Sequence, residues 1–160
     1  MRCTIIAVGR LKSGPERELF ERYHKRFDNV ARGIGLGEIR FVELTESRTG
    51  SAKSRRDEEA RQITSKLNEG AVVIALDERG TSMPSFEFAG MLEKLRDAGT
   101  REICFVIGGP DGLGDDVRSP ARSQLSFGRL TLPHGLARIV LAEQLYRVAT
   151  ILAGHPYHRD

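Results

Sequence analysis

The residues best equipped for chemistry crowd the end of the chain. His155-Pro156-Tyr157-His158-Arg159-Asp160 holds two of the four histidines, one of the three tyrosines and an arginine. Imidazole and phenol groups accept and relay protons, and a guanidinium steadies a developing anion. A solvated polar tail or an expression remnant has the same composition, so the segment gains meaning only from partners elsewhere. A second concentration is Gly108-Gly109-Pro110-Asp111-Gly112-Leu113-Gly114, where glycines let backbone N–H and C=O groups approach a ligand without Cβ interference. It lacks the Gly-Lys-Ser/Thr ending of a phosphate loop, and Pro110 interrupts the Gly-x-Gly-x-x-Gly pattern of dinucleotide sites. A ligand held through backbone contacts, such as an adenosyl group, suits it better than a triphosphate; a purely structural turn is the competing reading.

Other chemistries find less support. His134, His155 and His158 raise zinc, but no His-Glu-x-x-His spacing and no cysteine pair accompany them. No Gly-x-Ser-x-Gly elbow points to a serine hydrolase. Glu143 and Arg147, four residues apart, read as an intrahelical ion pair.

The elements that must carry these groups emerge from hydrophobic patterning. Short apolar runs at 4–8, 39–44, 71–76, 103–107 and 130–132 predict strands. Between them, 15–27, 54–67, 85–97, a short polar segment near 115–124, and 136–153 predict helices. This β-α alternation implies a mostly parallel sheet flanked by helices, with 72–76 and 103–107 as central strands buried on both faces. Ligands in such sheets bind beyond the carboxyl ends of strands. Asp77-Glu78-Arg79-Gly80, the glycine-rich segment and Pro133-His134-Gly135 would therefore converge on one crevice. The stretches 33–37 and 48–56 read as flexible loops, the second basic. The last helix spreads Leu136, Val140, Leu141, Leu145, Val148 and Leu152 over more than one stripe, which implies two buried surfaces: deep packing on the sheet, or packing plus a subunit interface.

Composition sets the outer bounds. With 160 residues, 39% hydrophobic and 29% charged, the chain reads as one domain spanning 1–160 with room for a real core. The net charge of +3 and a preference for arginine over lysine permit an anionic partner without requiring one. Cys3 and Cys104 lie in apolar runs and read as buried thiols in a reducing compartment. No apolar stretch approaches the roughly 20 residues of a membrane span, so a cytoplasmic location is expected.

Taken together, Ile107-Gly108-Gly109-Pro110-Asp111-Gly112, Leu125-Ser126-Phe127 leading into Leu130-Thr131-Leu132-Pro133-His134, Leu141-Ala142-Glu143-Gln144-Leu145-Tyr146-Arg147 and the closing His155-Pro156-Tyr157-His158-Arg159 resemble the RlmH family along the whole chain. These are SPOUT-class methyltransferases acting on N3 of a pseudouridine in 23S ribosomal RNA of the large subunit. The resemblance implies a single-domain α/β fold with a deep C-terminal trefoil knot, a homodimer, no metal, and S-adenosylmethionine as cofactor. It assigns cofactor contacts to Leu76, Gly108, Phe127, Gly128, Arg129, Leu130, Thr131 and Leu132, and catalysis to Arg147, Tyr157, His158 and Arg159. Gly80-Thr81 and Pro84-Ser85 depart from a Gly-Lys and Ser-Ser pattern expected there.

The target chemistry fixes what the tail would do. A protonated imide nitrogen is a poor nucleophile, so proton loss must be assisted and nitrogen aligned with the methyl group. An imidazole, titrating near 6.5 in water, works at neutral pH, whereas a phenol near 10 needs arginine neighbours to lower it. His158 or Tyr157 would take the proton, with Arg147 and Arg159 steadying the anion or phosphates, from a tail that reaches the partner subunit's cofactor. RNA would meet Arg10, Arg22, Arg26, Arg129, Arg159 and the basic loop. The rival readings are a ribosome-associated cofactor-binding module without turnover and a small-molecule methyltransferase.

Overall fold

The computed structural model describes residues 1–158. The strands are β1 (Arg2–Val8), β2 (Ile39–Leu44), β3 (Val72–Thr81), β4 (Glu102–Ile107) and β5 (Ser123–Leu125). The helices are α1 (Pro15–Ala31), α2 (Ala52–Thr64), α3 (Ser85–Asp97), α4 (Asp115–Arg118) and α5 (His134–Leu152), with one 3-10 turn at Arg32–Ile34. All strand pairs are parallel, in the order β2-β1-β4-β3-β5. This is the α/β fold expected, with a parallel sheet flanked by helices.

Burial on both faces explains the continuous apolar strands. Alternate residues of β1 feed opposite cores: Ile5 and Ala7 pack with α1, α3 and α5, while Ile6 and Val8 pack with α2 and α4. Every residue of β4 is buried. Its one charge, Glu102, accepts hydrogen bonds from Thr4 Oγ1 at 2.6 Å and Asn68 Nδ2 at 2.7 Å. Burial alone would raise this carboxyl, but those donors, with Arg2 and Arg40, hold it below the usual glutamate value. Cys3 and Cys104 are fully buried free thiols. Desolvation pushes Cys3 up to about 12 and Cys104 up to about 11.

Helix α5 lies deep, packed mainly on α1 and also on α3. Leu141, Leu145 and Val148 are fully buried, whereas Leu136 remains 42% exposed. One broad face is thus buried within the domain and another is left open.

Four expectations need correction. The run 130–132 is not a strand: Leu130 is 83% exposed, and the chain turns at Gly128 (φ 124°) before Pro133 opens α5. The fifth strand is instead Ser123–Leu125, overlapping the end of the segment 115–124 expected to be helical, of which only 115–118 forms a helix. The stretch 33–37 is pinned by hydrogen bonds from Leu36 N to Ala31 O at 3.0 Å and from Gly37 N to the Met1 carbonyl at 2.8 Å. In the basic stretch, Ser51 caps α2 by accepting from Ser54 N at 3.1 Å, so Arg55 and Arg56 belong to the helix rather than to a loop.

Candidate active site

A cleft of about 670 Å³ opens beyond the carboxyl ends of β3, β4 and β5. One wall continues β3 through Leu76, Asp77, Glu78 and Arg79. The second is the turn after β4, from Gly108 to Leu113. The third is Leu125, Phe127, Gly128 and the segment Leu130–Leu132, closed by Pro133, His134 and Ala137 at the start of α5. Seven of the eight residues assigned by resemblance to the cofactor line this cleft; Arg129 is exposed and does not, its charge staying in solvent.

The glycine turn is folded tightly on itself. Gly112 N donates to Gly109 O at 2.9 Å, and a Cβ on Gly108 would fall 2.6 Å from the carbonyl carbon of Gly112. A side chain at position 108 would therefore force the turn open. Bare backbone faces the cleft as a result, and an adenosyl group held by main-chain N–H and C=O groups fits such a lining. The third wall is fastened through Glu78 and Ser126. Thr131 Oγ1 donates to Glu78 Oε2 at 2.9 Å, Ser126 Oγ donates to Gly128 O at 2.9 Å, and Gly128 N donates to Ser126 Oγ at 3.2 Å.

Buried charges support the cleft from behind. Arg138 is fully buried and donates to Val8 O, to Gly9 O at 3.1 Å and to Glu43 Oε1 at 3.5 Å. Burial lowers its pKa, opposed by the charges of Glu43 and Glu46. Glu46 Oε1 in turn lies 3.6 Å from His134 Nε2. The start of α5 is thereby tied to the end of β1. On the other side, Arg55 on α2 grips Asp111 of the glycine turn, with Nε donating at 2.6 Å and a terminal nitrogen at 3.2 Å. Sequence reasoning missed Arg55 and Arg138 as parts of this support. Only Asp111, inside the glycine motif, gave a signal.

The C-terminal residues assemble elsewhere. Tyr157 packs on Tyr146 with ring centres 4.5 Å apart and donates to Glu143 Oε1 at 3.2 Å. Arg147 lies over the Tyr157 ring at 5.1 Å and donates to the same carboxylate at 2.6 Å, the ion pair expected from the i, i+4 spacing. His158 meets Phe86 edge-on at 5.8 Å, and its Nδ1 is buried with no hydrogen-bond partner among the described residues. Neither Arg147, Tyr157 nor His158 lines the cleft of its own chain. Arg159 lies outside the described residues. The phenol is not lowered by its arginine neighbour: burial, then the nearby Tyr23 hydroxyl and Glu143 charge, push it well above the ordinary tyrosine value. Among the described residues, no three His, Cys, Asp or Glu side chains gather as a metal site, and no helix is long and apolar enough to cross a membrane.

With this geometry the chain can be set beside known proteins. The sequence profile of the family described as "Predicted SPOUT methyltransferase" matches residues 1–158. A protein of Bradyrhizobium diazoefficiens named "Ribosomal RNA large subunit methyltransferase H" is 50% identical over 159 residues, covering 99% of each chain. The protein of the same name from Nitrobacter hamburgensis is 49% identical over 159 residues, again covering 99% of both. A crystal structure of a probable methyltransferase from Bordetella pertussis aligns with a TM-score of 0.49 at 13% identity, over 92% of this chain and 95% of that one. The chain belongs to the SPOUT methyltransferases, and within them to the large-subunit methyltransferase H family that it matches over nearly its whole length.

Proposed function

We propose that the protein transfers a methyl group from S-adenosylmethionine to N3 of a pseudouridine in 23S ribosomal RNA, acting as a cytoplasmic homodimer. The observation that carries this reading is the backbone-lined cleft beyond β3 and β4 in a chain 50% identical, end to end, to relatives named as large-subunit ribosomal RNA methyltransferases. When bound, the cofactor supplies an electrophilic methyl group on a sulfonium. Leu76, the Gly108–Leu113 turn and the Phe127–Leu132 wall would hold its adenosyl portion, with main-chain groups reading the base and apolar side chains excluding water.

The remaining chemistry falls to the C-terminal segment. Of the two proton acceptors, His158 is favoured: its Nδ1 has no partner among the described residues, while Tyr157 is committed to Glu143 and held protonated. Arg147 and Arg159 would steady the anion at N3 or a neighbouring phosphate. Tyr157 positions the segment by packing against Tyr146. Because Arg147, Tyr157 and His158 lie off their own cleft, they would complete the partner subunit's site. Phe86, Leu130 and Leu136 are exposed at 56%, 83% and 42%, apolar side chains available for such a contact. The family likeness also carries the trefoil knot as part of this reading. Labelled S-adenosylmethionine incubated with ribosomes lacking the modification is expected to label 23S RNA, and free nucleosides to remain unlabelled. Label in neither, or only in nucleosides, refutes the reading.

A further inference from the structure

Methyl transfer as proposed uses the cleft and the tail and gives α2 only the task of bracing the cleft wall. The first turns of that helix nevertheless join two loops that are distant in sequence. The Arg55 guanidinium makes four hydrogen bonds: two to the Asp111 carboxylate in the cleft wall, at 2.6 and 3.2 Å, and two from its remaining terminal nitrogen to Thr49 O at 3.3 Å and Gly50 O at 3.1 Å. One turn on, Glu59 Oε1 accepts from Ser47 N at 3.0 Å. The Glu59 side chain is buried, its Oε2 has no partner among the described residues, and a Cβ on Gly109 would lie 3.0 Å from that oxygen. Ser47 Oγ is also bonded to Glu58 Oε2 and lies 3.0 Å from Thr49 Oγ1. The exposed segment 45–50, which carries Arg48, thus shares its fastenings with the glycine turn of the cleft.

We infer that Arg55 is a positioning residue that couples the cofactor turn to the arginine-bearing loop, so that filling the cleft sets the loop that meets RNA phosphate. The inference rests on the proposed function and deepens it by naming how the two ligands sense each other. The physical basis is geometric. A planar guanidinium that spans a carboxylate on one loop and carbonyls on another transmits a shift of either, because all its bonds share one rigid plane. Glu59, which holds Ser47 N and whose Oε2 borders the space beside Gly109, lies between the same elements. Coupling of this kind is reciprocal: a cofactor that tightens RNA binding by some factor is itself tightened by RNA to the same degree.

Two variants isolate the link. Arg55→Lys keeps a positive charge but loses the fork, and Asp111→Asn leaves every arginine in place while weakening the grip. Binding of the full-length protein to ribosomes lacking the modification is measured with and without saturating S-adenosylhomocysteine. The unaltered protein should bind at least about fivefold tighter with the analogue, the lower end of ordinary allosteric coupling. In both variants the ratio should fall below about twofold, although each ligand alone still binds. An undiminished ratio in both variants, or no enhancement in an unaltered protein that binds both ligands, overturns the inference. Failure of the unaltered protein to bind the analogue at all instead sinks the functional reading and this inference with it. Should a variant not fold, hydrogen exchange on the unaltered protein decides: the analogue should slow exchange at both 108–113 and 47–50, and protection confined to 108–113 refutes the coupling.

Discussion

Substituting Gly108 by alanine separates a cofactor cradle from an ordinary turn. The added methyl would stand 2.6 Å from Gly112 C, 2.8 Å from Gly112 O and 2.9 Å from Leu113 N, all backbone atoms that cannot rotate away. Non-bonded carbon atoms settle about 3.5–4 Å apart, so the Gly112–Leu113 peptide must retreat by about 1 Å. The Gly112 N to Gly109 O bond at 2.9 Å resists that movement. Overpacking of this size costs about 1–3 kcal/mol. If the strain is relieved by opening the turn, the cleft wall loses its shape, and the same energy appears as about a 5- to 150-fold loss of cofactor affinity. Isothermal titration with S-adenosylmethionine and S-adenosylhomocysteine measures it, alongside a thermal melt. Gly90→Ala is the matched control: it lies within α3 with nothing inside 4 Å of its would-be methyl. That change should stabilise the fold by about 0.5–1 kcal/mol through helix propensity and leave affinity untouched. Wild-type affinity in Gly108→Ala with a normal melt would rule out the turn as a cofactor cradle.

Further outcomes arise from the buried groups. Because Glu102 is held below the ordinary glutamate value, its contribution to stability is complete above about pH 4.3 and fades as pH falls through the lower folded value; Glu102→Gln should flatten that limb of the acid denaturation curve, and an unchanged limb would be contrary. Cys3 and Cys104, raised to about 12 and about 11, should resist a thiol reagent at pH 8 in the folded protein and both react in denaturant. Of the three tyrosines, Tyr157 should ionise well beyond the ordinary range near pH 10 in a spectrophotometric titration, and Tyr157→Phe should remove that late step while costing about 1 kcal/mol for the lost Glu143 bond. Absence of a late step that Tyr157→Phe removes would count against the packing described for the tail.

Strands buried on both faces were legible as uninterrupted apolar runs, and β3 and β4 lie where Val72–Leu76 and Ile103–Ile107 place them. The apolar content of Leu130–Leu132 misled for a physical reason: those side chains face a cleft and open surface rather than a sheet. Ser123–Leu125 was hidden because a short edge strand pairs through its backbone, with only Leu125 buried. The cleft itself was readable from the polar and glycine-rich residues directly after β3 and β4, since a parallel sheet brings its carboxyl ends to one side. The environment of Tyr157 was not, since its burial depends on Tyr146 and on Tyr23 of a helix more than a hundred residues away. Arg138 gave no signal, and Arg55 only that of a basic loop, because their partners, Asp111 and the carbonyls of Val8 and Gly9, come together only in the folded chain.

The identity of the atom that receives the methyl group decides between this reaction and its neighbours. Ribosomes lacking the modification, treated with the protein and S-adenosylmethionine, yield 23S RNA that can be digested to nucleosides and resolved by chromatography with mass spectrometry. One new species is expected, a pseudouridine carrying its methyl on N3, that disappears when the cofactor is omitted. A methyl group on another nucleoside, on a ribose, or on N1 of the pseudouridine would contradict the proposed reaction.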